Sequence, residues 1–150
     1  MATIDISKMT FPEILQHISE APTADKQNAI TQISNLKPEL KLLFRLVYDP
    51  NLEFDLPEGD PPYTPLSMPD NWGYNRLPKE LKKFHYFIKG SNNNLTRVKK
   101  EKLFIDILES VSPEEAKLVL MIKSKKLTYK GFTRKLIVKS LPDVFPGQTE

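Results

Sequence analysis

The sequence predicts an all-α fold: a compact bundle of six or seven short helices with a proline-rich extended strap at about residues 50–78. Three observations carry that prediction. Apolar residues recur at spacings of three and four in successive short runs, as the inward face of a helix requires. Most of these runs open on a side chain or proline suited to a helix start. No run alternates apolar and polar residues convincingly enough for a strand, and no internal repeat is present. At 150 residues and 39% hydrophobic, the chain fits a single domain, 1–150, with one core. Its parts are the N-terminal helices (1–49), an ordered strap (50–78) and basic C-terminal helices (79–150).

The first helix opens at Thr10-Phe11-Pro12-Glu13, where Thr10 can cap, Pro12 sits in the first turn and Glu13 completes a capping box. Phe11, Ile14, Leu15 and Ile18 carry it to about Glu20, and Ala21-Pro22 breaks it. Thr23 opens a second helix with Ala29, Ile30 and Ile33, and Asp25 suits its positive end. Pro38 opens a third, through Tyr48, whose Leu40, Leu43, Phe44 and Val47 face is widened by Leu42 and Leu46. From Pro50 to Pro78 lie seven of the 13 prolines, so neither a long helix nor a central strand can run through. Yet Leu52, Phe54, Leu56, Tyr63, Leu66, Met68, Trp72 and Tyr74 are spread along it, which suits a strap plugged onto the core better than a free linker.

Pro78 to Lys89 reads as a fourth helix with Leu81, Phe84, His85 and Ile88 on one side, ended by Gly90 and the polar turn Ser91-Asn92-Asn93-Asn94. Thr96 can cap a fifth, to about Ser110, with Val98, Leu103, Phe104, Ile107 and Leu108. Ser112-Pro113-Glu114-Glu115 is the clearest start in the chain and opens a sixth with Ala116, Leu118, Val119, Leu120, Met121 and Ile122. Lys123 to Lys130 reads as a basic connection. Gly131 then frees the backbone, and Thr133 can cap a last helix, Arg134 to Leu141, with Leu136, Ile137 and Leu141 inward. Pro142 and Pro146 close the fold.

Composition excludes several chemistries. With no cysteine there is no disulfide framework, thiol nucleophile or thiolate metal site. His17 and His85 stand far apart and leave a histidine-based zinc site little to work with. No phosphate loop of the GxxxxGK[ST] or GxGxxG kind occurs. The acids Asp49, Glu53, Asp55, Glu58 and Asp60 lack the spacing of a calcium loop and read as solvated loop acids, and His85 as a packed or hydrogen-bonded structural residue. No metal, cofactor or catalytic role is expected. The absence of a long apolar run or basic leader predicts a soluble intracellular protein with no membrane partner.

The charge is uneven. Residues 1–78 hold 6 Lys+Arg and 11 Asp+Glu, whereas residues 79–150 hold 16 and 8. A basic half of this size points to a polyanion or an acidic protein. Arg97, Lys99, Lys100 and Lys102 crowd the first turns of the fifth helix, the wrong end of its dipole for cations, and suit a phosphate unless Glu101 and outside acids neutralise them. Lys123, Lys125, Lys126 and Lys130 lead into Gly131-Phe132-Thr133-Arg134-Lys135. There backbone amides, a hydroxyl and cations could together hold phosphates of a nucleic-acid backbone.

Taken in order, several segments resemble the N-terminal helical DNA-binding domain of ATP-dependent DNA ligases. They are Asp25-Lys26-Gln27-x-Ala29-Ile30, Leu40-x-x-Leu43-x-Arg45-Leu46-Val47-Tyr48, Ser112-Pro113-Glu114-Glu115-Ala116, Lys126-Leu127-x-x-x-Gly131-Phe132-Thr133-x-Lys135-Leu136 and Phe145-Pro146. Nearly the whole chain also resembles a family of small proteins of T-even-like tailed phages, through Tyr48-Asp49-Pro50, Pro57-Glu58-Gly59-x-Pro61-Pro62-Tyr63 and Lys102-Leu103-Phe104-Ile105-x-x-Leu108-Glu109. The ligase resemblance implies a helical module gripping the minor-groove side of duplex DNA with little sequence preference, its DNA-facing turn on Gly131 to Lys135. The Lys-x-Asp-Gly adenylation motif is absent, so ligation is not expected. The expected function is a non-catalytic duplex-DNA-binding accessory to phage DNA metabolism, in the cytoplasm of the infected bacterial host. The alternative is a protein-interaction factor that docks on a phage or host enzyme through Tyr63, Trp72 and Tyr74, since aromatics among prolines suit a protein interface.

Overall fold

Where the sequence predicts caps, the chain turns into helix. In the computed structural model, which describes residues 9–56, 59, 61–66, 76–90 and 94–145, α1 (Phe11–Glu20) starts on the reciprocal Thr10–Glu13 box. α2 (Thr23–Leu36) follows Pro22, and no side chain caps it. α3 (Pro38–Tyr48) begins on its proline and buries Leu40, Leu43, Phe44, Leu46 and Val47. α4 is the single turn Leu77–Glu80. α5 (Arg97–Ser110) is capped by Thr96, α6 (Pro113–Ser124) by the Ser112–Glu115 box, and α7 (Arg134–Ser140) by Thr133. Among the described residues the fold is all-α, with one isolated antiparallel bridge, Phe54 to Ile88. The expected roles of Met68, Trp72, Tyr74, Glu58, Asp60, Pro146, the Ser91–Asn93 part of the polar turn and the leader-free start fall outside the described residues.

The helices share one core. α2 packs on α7, α3 on α6, α5 on α6, and α1 on both α2 and α6. Polar ties fix the register between distant segments. Ser19 Oγ donates to the Lys130 carbonyl (2.6 Å), Thr31 Oγ1 to the Ser140 carbonyl (2.8 Å), and the Leu77 amide to Glu115 Oε2 (3.0 Å). Glu115 is buried, so its two oxygens serve both the cap of α6 and the start of α4.

Three expectations are corrected. The segment after α4 is not an α-helix but a 3-10 helix, Leu81–Phe87, after which Ile88 is extended in the bridge. With three residues per turn, Leu81, Phe84 and Phe87 fall on one face, and His85 turns out to solvent. There His85 stacks on Tyr86 (4.0 Å between rings), its Nδ1 lying 2.6 Å from the Lys82 carbonyl. Val98 is 77% exposed, because only Lys100, Phe104, Ile107 and Leu108 lie on the buried stripe of α5. α6 extends to Ser124 and takes Lys123 with it, so the connection begins at Lys125, whose positive φ (58°) ends the helix.

The strap does plug the core. Leu56 is buried, and Leu52, Phe54 and Tyr63 are half-buried against it. Phe84 is the hub: its ring lies 5.5 Å from Phe87, 6.4 Å from Phe104 and 6.3 Å from Phe54, all edge-on. Edge-to-face pairs add about 0.5–1.5 kcal/mol each beyond the area they bury. We expect Phe84→Ala to cost about 3–5 kcal/mol in denaturant unfolding. His85→Ala should stay within about 0.5 kcal/mol, an outcome that an α-helical register would reverse.

Candidate nucleic-acid interface

Two surfaces receive the cations singled out above, and they differ in what answers the charge. On the first, the strap does. Lys100 is 7% exposed and its Nζ lies 3.0 Å from Asp55 Oδ2. Arg97 reaches Asp55 Oδ1 (3.8 Å) and the Leu56 carbonyl (3.4 Å). Lys123 Nζ donates to the Gly59 carbonyl (2.7 Å), and Lys125 Nζ to the carbonyls of Asp49 and Leu52. The Lys100 hydrogen bond, then the charges of Lys100, Arg97 and Lys89, hold the Asp55 carboxyl below its usual range. Burial pushes the Lys125 ammonium below the usual lysine range, against the pull of Asp49 and Glu53. Of the expected DNA-facing cations, Lys100, Lys123 and Lys125 thus meet strap oxygens, and Arg97 reaches the strap while its side chain stays exposed.

The second surface surrounds the Gly131 turn. Gly131 adopts φ +89°, and a Cβ there would lie 2.5 Å from Lys26 Cε, so the turn needs both the backbone freedom and the missing side chain. Lys26 is 8% exposed and its Nζ donates to the Ala21 carbonyl. Between the end of α1, the start of α2 and this turn runs a groove of about 750 Å³. Ser19, Glu20, Thr23, Lys26, Lys130, Gly131 and Thr133 are among its lining residues, and no described residue of the strap is. Among the described residues Glu20 is the one carboxylate in the lining, and it accepts from Gln16 Nε2 (2.8 Å). Lys126, Lys130 and Lys135 are exposed.

The remaining residues of the predicted set divide. Phe132 is half-buried and packs on Phe44 (6.0 Å) and Tyr129 (6.4 Å), so it anchors the turn rather than facing a ligand. Arg134 Nε donates to the Tyr48 carbonyl (3.3 Å) at the end of α3 and is half-buried. The Thr133 hydroxyl accepts from the Leu136 amide as a cap. Lys99 is exposed beside the strap-held pair. Of the alternative protein-docking set, Tyr63 packs against the core; Trp72 and Tyr74 lie outside the described residues. Sequence reasoning passes over Lys26 as a site residue, though its position three and four residues before Ala29 and Ile30 places it on the inward face of α2.

Among the described residues no group of three or more His, Asp or Glu could hold a metal, and no helix is long and apolar enough to cross a membrane. Gly131→Ala should cost about 1–3 kcal/mol, with part of that loss recovered in the Gly131→Ala/Lys26→Ala double variant, measured as a thermodynamic cycle. Burial also pushes the phenols of Tyr48 and Tyr129 up to about 12, in Tyr129 with help from Glu114. The fold favours their neutral forms, so that stability is fully present below about pH 10 and lost as pH rises from there. Phenolate absorbance should show these two tyrosines titrating after an exposed tyrosine does.

No curated protein and no solved structure matches the chain. A protein family of unknown function, DUF6433, matches residues 14–129, a span from within α1 to the segment just before the Gly131 turn. The chain belongs to that family, DUF6433.

Proposed function

We propose that the protein is a non-catalytic module that grips the phosphate backbone of duplex DNA with little sequence preference, centred on the Gly131 turn. The observation that supports this reading is the groove between that turn and the start of α2, which has the exposed Lys130 in its lining and no described residue of the strap. Lys126 and Lys135, exposed in the segments flanking the turn, extend the basic character without carbonyl or carboxylate partners of the kind that hold Lys123 and Lys125. Backbone-directed cations of this kind position a duplex and read no bases. The sequence resemblance supplies the setting, an accessory role in phage DNA metabolism in the cytoplasm of an infected bacterial host.

A Lys126→Gln/Lys130→Gln/Lys135→Gln variant tests the reading in filter or anisotropy binding to mixed-sequence duplex at low salt. Affinity should fall at least about tenfold, and the dependence of log affinity on log salt should become shallower by about one for each phosphate the variant no longer neutralises. Equal affinity and slope in the variant and the parent would overturn the assignment.

A further inference from the structure

We infer that residues 49–56 and Gly59 are an intramolecular stand-in for a phosphate backbone, covering a second cation surface that a nucleic acid gains by displacing them. That surface consists of Arg97 and Lys100 at the start of α5 and Lys123 and Lys125 at the end of α6. The four side chains meet oxygens of the strap: the carbonyls of Asp49 and Leu52 in the turn after α3, the Asp55 carboxylate, and the carbonyls of Leu56 and Gly59. A sugar–phosphate strand offers oxygen acceptors too, with a charge on each phosphate.

The charges are not matched. Arg97 and Lys100 share one carboxylate, Asp55, while Lys123 and Lys125 meet carbonyls, which carry no net charge. Asp49 and Glu53, the nearby acids, already face Arg45 (3.6 Å) and Lys89 (3.5 Å). Replacing carbonyls by phosphate oxygens converts neutral acceptors into charged ones, whose hydrogen bonds are roughly twice as strong. Backbone pairing of the strap is short at this point: two bonds, Asp55 N–H to the Phe87 carbonyl and Lys89 N–H to the Glu53 carbonyl, flank the isolated bridge. Leu56 is buried and Leu52 and Phe54 are half-buried on the core, so displacing the strap uncovers these three side chains.

The inference extends the duplex reading to a second face and shares only its ligand class. Its first test uses the unaltered full chain: hydrogen exchange at the Asp55 and Lys89 amides with added inorganic polyphosphate or duplex DNA. Either ligand should speed exchange at both amides at least about fivefold, and unchanged exchange with both overturns the inference. The second test compares Asp55→Asn with Asp106→Asn, which removes the same charge from the exposed side of α5. Asp55→Asn should bind polyphosphate at least about fivefold more tightly than Asp106→Asn, and adding Lys100→Gln, Lys123→Gln and Lys125→Gln should erase the difference. Equal affinities, or a gain that survives those three changes, would count against the inference. If polyphosphate opens the strap while no duplex binds the parent chain, the duplex reading falls and this one stands. Duplex binding with both amides still protected overturns this inference and leaves the duplex reading in place.

Discussion

A cation at the positive end of a helix needs an anion, and much of the molecule follows from how this chain meets that need. α5 opens with Arg97, Lys99 and Lys100, and Lys100 is buried. A buried ammonium without a partner costs several kcal/mol, so Asp55 has to reach it. That fixes the strap where it passes α5. With Asp55 fixed, Phe54 pairs with Ile88 and lays its ring against Phe84, which sets the end of the 3-10 helix and the aromatic hub. The same geometry explains why several of the basic side chains singled out by sequence are consumed internally.

Part of the uneven charge of the sequence is folded away. α7, from the basic half, lies against α2 of the acidic half, and the acidic strap crosses the basic starts and ends of α5 and α6. A net charge read along a chain is a one-dimensional quantity, and it describes a surface only after each ionic group is assigned a neighbour. Lys130 stays exposed in the lining of the groove at the Gly131 turn, where no described strap residue takes part.

How much is legible in the sequence depends on the range of the interaction. Helix starts are legible because a capping box acts over three residues: Thr10–Glu13 and Ser112–Glu115 both form. The register of the segment after Pro78 is not, because its apolar residues fit a period of 3.6 as well as a period of 3.0. Which wins is set by the pull of Glu115 on the Leu77 amide and by the bridge at Ile88, both long-range. The site is half legible. Gly131 is recognisable as a point where the backbone needs freedom, but that Lys26 lies beneath it, and that Lys125 bends back to Asp49, depends on contacts across roughly half the chain or more.

The ties of Ser19 to Lys130 and Thr31 to Ser140 join residues more than a hundred positions apart. α1 and α2 are thus made well before their partners, and the helix that covers α2 emerges from the ribosome only after that whole interval. Until then their apolar faces wait for α6 and α7, and loop closure over that span delays the final docking. A nascent amphipathic hairpin therefore stays exposed for most of the time the domain takes to be translated.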